Sequence, residues 1–186
     1  MSPRHSSYDA IVDAAEAVVM ESGAAHMTLD AVAAKAGVSK GGLLHHFPTK
    51  VALLEAMLNR LIEAREKSRK KIWRELPDSP TRELKAYMLS SLLRDKKSDR
   101  VGASLLAPLA HNPKLAVPVR EAIRKVYAEI VSSDVKFERA AVLALAAEGL
   151  LLQETLSISP FTEEQRSRIV EELLRLAYGE IVEKYT

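Results

Sequence analysis

Cysteine is absent from the 186 residues. That removes disulfides, thiolate nucleophiles and every zinc site that needs sulfur, and it suits a reducing compartment. Aromatic residues make up only 5% of the chain, with a single Trp, and runs alternating Val, Ile, Thr or Tyr between turn residues are missing, so strands are not expected. With 7 Gly and 8 Pro the chain is neither collagen-like nor of low complexity. An excess of one charge is also lacking: 27 Lys and Arg face 25 Asp and Glu, a net +2. Bulk electrostatics therefore gives no case for nucleic acid, and any such case rests on local geometry. The longest nearly apolar stretch, Ala140 to Leu152, is interrupted by Glu148 and Gly149 and is too short to span a bilayer. Asp9, Asp13 and Glu16 stand where a signal peptide would place its apolar region, so the expected location is cytoplasmic. Signatures of catalysis are missing as well. There is no phosphate-binding Gly loop, no His/carboxylate cluster of metal-ligand spacing and no GxSxG elbow, and Gly41-Gly42 lacks the strand a dinucleotide fingerprint needs. An enzyme is not expected, nor is any catalytic residue, metal or cofactor.

What is present is 47% hydrophobic and 28% charged residues, patterned for helices. Turn and breaker residues fall at Gly23 to Met27, Gly37 to Ser39, Pro48 and Thr49, Pro77 to Pro80, Ser98 to Arg100, Asn112 and Pro113, Ser132 to Asp134, and Ser159 to Thr162. They divide the chain into about nine helices, an all-α fold. Pro118 either starts or kinks a helix. The first three helices are short and closely spaced and those from Lys50 onward are longer, which predicts a compact module at 1–49 followed by a larger helical bundle at 50–186.

Within the module, Thr28 caps a helix whose apolar residues Leu29, Val32, Ala33 and Ala36 recur at i, i+3, i+4 and i+7, giving one buried face. Gly37 stands where a left-handed residue would end that helix. Val38 can fold back on it, and Ser39 is placed to cap the next. Helix, tight Gly-containing turn and short second helix form a helix-turn-helix, whose second helix enters the major groove of DNA. In that helix Leu43 and Phe47 are four apart and anchor it, so the opposite face carries Gly41 and His45, flanked by Gly42 and Leu44. This face has no Arg, Asn or Gln for a bidentate base contact. Its glycines instead allow close approach of the helix backbone, with Lys40 and Lys50 at the helix ends reaching phosphates. Adjacent His45 and His46 point about 100° apart on a helix and have no spaced carboxylate, which disfavours a metal site.

The stretch TLDAVAAKAGVSKGGLLHHFPTKVALLEAML, Thr28 to Leu58, resembles the TetR family of bacterial transcriptional regulators, above all in its Gly-Val-Ser turn followed by His46, Phe47 and Lys50. The resemblance implies phosphate contacts from Thr28 and Lys50, and places Ser39, Lys40, Gly41, Leu44, His45 and His46 at or near DNA. The family often has Tyr where this chain has Leu44, and an acidic residue where it has Val51. Beyond residue 58 the likeness is one of helix number and length. Residues 1–50 carry four basic against five acidic side chains, a net charge of −1 with His neutral.

In the bundle, Arg60, Arg65, Lys67, Arg69, Lys70, Lys71 and Arg74 make one helix conspicuously basic, a pattern that ordinarily marks a solvated face. Ala140 to Leu152 is apolar nearly all round, so its helix is buried on more than one side. Glu148 within it must meet a cation, lie at an edge or face a polar pocket. Trp73, Tyr87, Met88, Tyr127, Glu148 and Gln153 are the candidate pocket residues. Leu145 and Leu152, with the stripe Ile169, Val170, Leu173, Leu174, Ala177 and Ile181, form the candidate dimer interface, which the family resemblance also implies. The resulting expectation is a homodimeric, ligand-responsive regulator, a repressor released from a palindromic operator in double-stranded DNA by a small apolar or amphipathic effector, with no membrane partner. The alternative is a helical small-molecule-binding or interaction protein that does not bind DNA.

Overall fold

In the computed structural model, which describes residues 6–93, 96–131 and 135–177, the described residues form nine α-helices and no strand. They are α1 (Ser7–His26), α2 (Leu29–Ala36), α3 (Lys40–His46), α4 (Lys50–Glu75), α5 (Arg82–Leu92), α6 (Lys96–His111), α7 (Ala116–Ile130), α8 (Phe137–Thr155) and α9 (Glu163–Ala177). The expected breaks fall in place at Gly23, whose φ of 80° and ψ of 155° interrupt α1, and at Gly37, Pro48, Pro77 to Pro80, Asn112 and Ser159 to Thr162. Pro118 sits in the first turn of α7, where its missing N–H would have no intrahelical partner. The break expected at Ser98 to Arg100 is a correction: these residues lie within α6. Ser and Asp are favoured in a first turn as well as in loops, so composition there marks a helix start. The break expected at Ser132 to Asp134 lies outside the described residues.

The chain packs as two compact units. The first takes the described residues up to Glu63 together with Lys96–Glu121; the second takes the described residues of Ala64–Asp95 and Ala122–Thr186. In the first unit, Ile11, Val12 and Val19 of α1, Val32 of α2, Leu43 of α3 and Leu53 and Met57 of α4 form one core with Val101 and Leu105 of α6. Burying such aliphatic side chains contributes about 1.5–3 kcal/mol each against the entropy of ordering them. The guanidinium of Arg60 on α4 meets a row of acids on α1: it donates to Asp13 and Asp9 and lies 3.6 Å from Glu16. The three acids that speak against a signal peptide thus serve to join α1 to α4.

In the second unit, Leu84 and Met88 of α5, Ile130 of α7, Ala140, Leu143, Ala147 and Leu150 of α8 and Leu173 and Ala177 of α9 form a separate core. Arg69 on α4 is buried and donates to Glu83 on α5 and Glu129 on α7. Arg166 on α9 bonds Glu154 on α8 and the Leu92 carbonyl on α5. These side chains fix the angles at which otherwise smooth apolar faces meet.

Candidate functional site

The helix-turn-helix is assembled by its caps. Thr28 Oγ1 accepts from the Ala31 N–H at 3.1 Å and starts α2. Gly37 ends it in the left-handed region at φ 68°, with its own N–H bonded to the Ala34 carbonyl and the Val38 N–H bonded to the Ala33 carbonyl at 3.1 Å. Val38 packs on the core beside Leu29 and Ala36. Ser39 follows directly, and its Oγ accepts from the Gly42 N–H at 3.0 Å and starts α3. Leu43 is fully buried and Phe47 nearly so. These two anchors turn the remaining side chains of α3 outward: Lys40, Gly41, Gly42, Leu44, His45 and His46 are all exposed.

Two details give this face its character. A Cβ added at Gly41 would meet nothing within 4 Å, and one at Gly42 would meet only Ser39 Oγ at 3.3 Å. Internal packing thus does not require glycine at Gly41. The cations are also held before any ligand arrives: Lys40 Nζ lies 2.9 Å from Asp30 Oδ1, and Lys50 Nζ donates to the Ala25 carbonyl at 3.1 Å. Thr49 Oγ1 accepts from the Ala52 N–H at 3.1 Å, which fixes the start of α4 and with it Lys50. His45 and His46 stand edge to face at 5.4 Å, and His46 stands edge to face with Tyr8 of α1 at 6.3 Å. Tyr8 also packs 4.9 Å from Phe47. It is an exposed aromatic bordering the reading face that sequence reasoning did not single out. Its position is set by the long-range packing of α1, which spacing along the chain does not report.

Of the six candidate pocket residues, Tyr87, Tyr127 and Glu148 come together and Trp73 stands apart from them. Tyr87 on α5 donates its hydroxyl to Glu148 on α8, and Tyr127 on α7 is close enough for the Glu148 charge to act on it. Burial, then the bond to Glu148, pushes the Tyr87 phenol far above its ordinary pKa, while a hydrogen bond with Ser91 works the other way. Tyr127 is raised by burial first and the Glu148 charge second. Met88 is wholly buried in the core. Trp73 is stacked under the Arg82 guanidinium, 3.8 Å from its carbon to the ring centre, beside a separate hollow of about 300 Å³ lined by Arg69, Lys70 and Glu83. Gln153 lies five residues beyond Glu148, about 140° round α8, with its buried Oε1 lacking a partner.

The candidate interface residues divide in the same way. Leu145 and Leu152 on α8 are exposed, as are Val142 and Leu156. Leu173 and Ala177 are buried within their own unit, Ile169, Val170 and Leu174 pack against the same core, and Ile181 lies outside the described residues. Among the described residues no group of three His, Cys, Asp or Glu has metal-binding geometry, and no helix is long and apolar enough to cross a membrane.

A helix-turn-helix with an exposed, glycine-bearing second helix, followed by an all-helical bundle, defines a DNA-binding regulator of the one-chain type. Residues 11–57 match the family profile of the bacterial regulatory proteins of the tetR family, and residues 81–178 match the tetracyclin repressor-like C-terminal domain. The chain belongs to the TetR family, whose members are ligand-responsive DNA-binding repressors and generally not enzymes. Among solved structures it is similar to a transcriptional regulator from Rhodococcus sp. Rha1, at 25% identity and a TM-score of 0.74 over 94% of this chain and 97% of that one. It shares its fold with a TetR transcription regulator from Haloarcula marismortui, at 16% identity and a TM-score of 0.76 over 93% and 97%. The same holds for the multidrug binding protein EbrR, complexed with imidazole, at 24% identity and a TM-score of 0.67 over 94% and 96%. No curated protein sequence matches the chain significantly.

Proposed function

We propose that the protein is a homodimeric repressor, with residues 1–49 engaging a palindromic operator and residues 50–186 carrying the effector site and the dimer surface. It works in the cytoplasm, where its DNA is, and has no catalytic role. The carrying observation is the face of α3, on which an exposed Gly41 with open space at its Cβ stands beside exposed Leu44 and His45. Glycine in a helix costs about 1 kcal/mol relative to alanine, and close approach of the backbone to a base-pair edge offsets that cost. Thr28, Lys40 and Lys50 engage phosphates, Lys40 by exchanging the Asp30 carboxylate for a phosphate oxygen. Effector binding releases the operator by favouring a state in which the two recognition helices no longer match the half-sites. The likeness to a multidrug binding protein is consistent with an apolar or amphipathic effector. The test is binding of the full chain to DNA upstream of its own gene across a salt series. Retention of one pseudo-palindromic segment with an affinity that falls steeply with salt is expected. Binding that is absent, or indifferent to salt, would overturn the reading.

A further inference from the structure

Among the described residues of the second unit, acidic side chains withdrawn from solvent follow a rule with one exception. Half-buried Glu66 is met by Lys70 and Lys125, Glu83 and Glu129 by Arg69, and Glu154 by Arg166. Glu148, withdrawn to the same degree, has no cation within salt-bridge reach among the described residues. Its bonded neighbour is the Tyr87 hydroxyl, and Tyr127 stands near it from a third helix. A carboxylate out of water is costly unless paired, and the bonded partner of this one is a neutral phenol. Such a place rejects anions and lacks one thing, a positive charge. Tyr87 and Tyr127, both half-buried, pack against the apolar cluster that contains Met88, Ala144 and Ala147, so their own rings are the apolar surface that a body attached to that charge would meet.

We propose that Glu148, Tyr87 and Tyr127 form the recognition site for an amphipathic organic cation, whose ammonium-type charge is the partner Glu148 lacks among the described residues. The proposal rests on the effector-responsive reading above and adds the charge and shape of the effector. Tyr87 keeps its proton and orients the carboxylate; Tyr127, half-exposed, offers its ring to the entering cation.

Tetraphenylphosphonium and tetraphenylborate have the same size and shape with opposite charge, which makes them the deciding probes. Calorimetric titration of the full chain with each should show the phosphonium binding and the borate binding about tenfold more weakly or not at all. Glu148→Gln should weaken the phosphonium about tenfold, because the amide still accepts from Tyr87 but carries no charge. Tyr127→Leu should weaken it several-fold and Tyr127→Phe hardly at all, a split that a structural role for the hydroxyl would not produce. Unliganded operator affinity should stay unchanged in all three variants, which shows that they fold. Equal binding of the two probes, no binding of the phosphonium, or full phosphonium affinity in Glu148→Gln would each overturn the site. If the phosphonium binds through Glu148 yet leaves the operator complex intact, the cation site stands and the release mechanism falls.

Discussion

On the proposed operator reading, Lys50 and Gly41 would meet DNA in two different ways. Lys50 is held at the first residue of α4 by its bond to the Ala25 carbonyl and by the Thr49 cap, so on that reading its ammonium would reach a phosphate with little ordering left to do. Lys50→Ala should weaken binding to every DNA sequence alike and reduce the slope of log affinity against log salt by about 1. A changed sequence preference at an unchanged slope would assign Lys50 to base reading instead. Gly41 makes the opposite prediction for stability and function. Because an added Cβ meets nothing within the chain, Gly41→Ala should stabilise the fold by up to about 1 kcal/mol while weakening operator binding. Denaturant midpoints and operator affinities, measured on the same preparation, check this pair of opposite signs. The outward face of α3 was legible from spacing alone, because a seven-residue helix anchored by Leu43 and Phe47 leaves only one set of residues to point outward. Tyr8 was not legible, since it reaches His46 and Phe47 from more than thirty positions away along the chain.

At the scale of elements, α4 shows where sequence reading runs out. Its run of basic residues has the composition of a solvated face, yet Arg69 within it is buried between Glu83 and Glu129. Nothing in the run distinguishes Arg69 from Lys70 or Lys71; the acids that claim it sit on helices whose packing is decided elsewhere. Arg69→Ala should cost about 2 kcal/mol, between a surface pair and a fully buried one because its partners remain partly exposed, and thermal unfolding measures it. One turn earlier, Glu66 accepts from Lys70 and Lys125, whose bonds and charges lower its pKa to about 2. A carboxylate whose folded pKa is depressed contributes stability above its unfolded value near 4.5, and loses it as pH falls toward 2. The wild-type protein should therefore lose more stability than Glu66→Gln between pH 5 and pH 2.5, as read by urea midpoints. Identical pH profiles would show that the tie between α4 and α7 contributes nothing. The caps of α2 and α3 were readable because capping chemistry is local; the placement of α6 in the core of the first unit was not, because no local pattern records which helix covers Val12 or Leu53.

At the scale of the whole molecule, the proposed homodimer requires two recognition helices held about 34–36 Å apart so that each enters a major groove on one face of the duplex. The apolar stripe of α9 is largely occupied within its own unit, with Leu173 and Ala177 buried, so substitutions there would report on folding before association. Among the described residues, a free apolar surface runs along α8. Val142 and Leu145 are 65% and 60% exposed, and Leu152 and Leu156 are 46% exposed each. With Gly149 between them, these positions advance by three, four, three and four residues, the spacing of a helix seam that meets a partner helix. A Cβ at Gly149 would meet nothing within 4 Å, so the chain's own packing does not ask for glycine there, whereas a second helix crossing closely would. Leu145→Glu combined with Leu152→Glu places two like charges on each side of a two-fold seam while leaving the buried face of α8, Ala140 to Leu150, untouched. The double variant should keep its helical content, sediment as a monomer and bind the operator about a hundredfold more weakly, since each half-site then loses the effective concentration that its partner supplied. A variant that remains dimeric and keeps its operator affinity would place the interface on another face of the bundle.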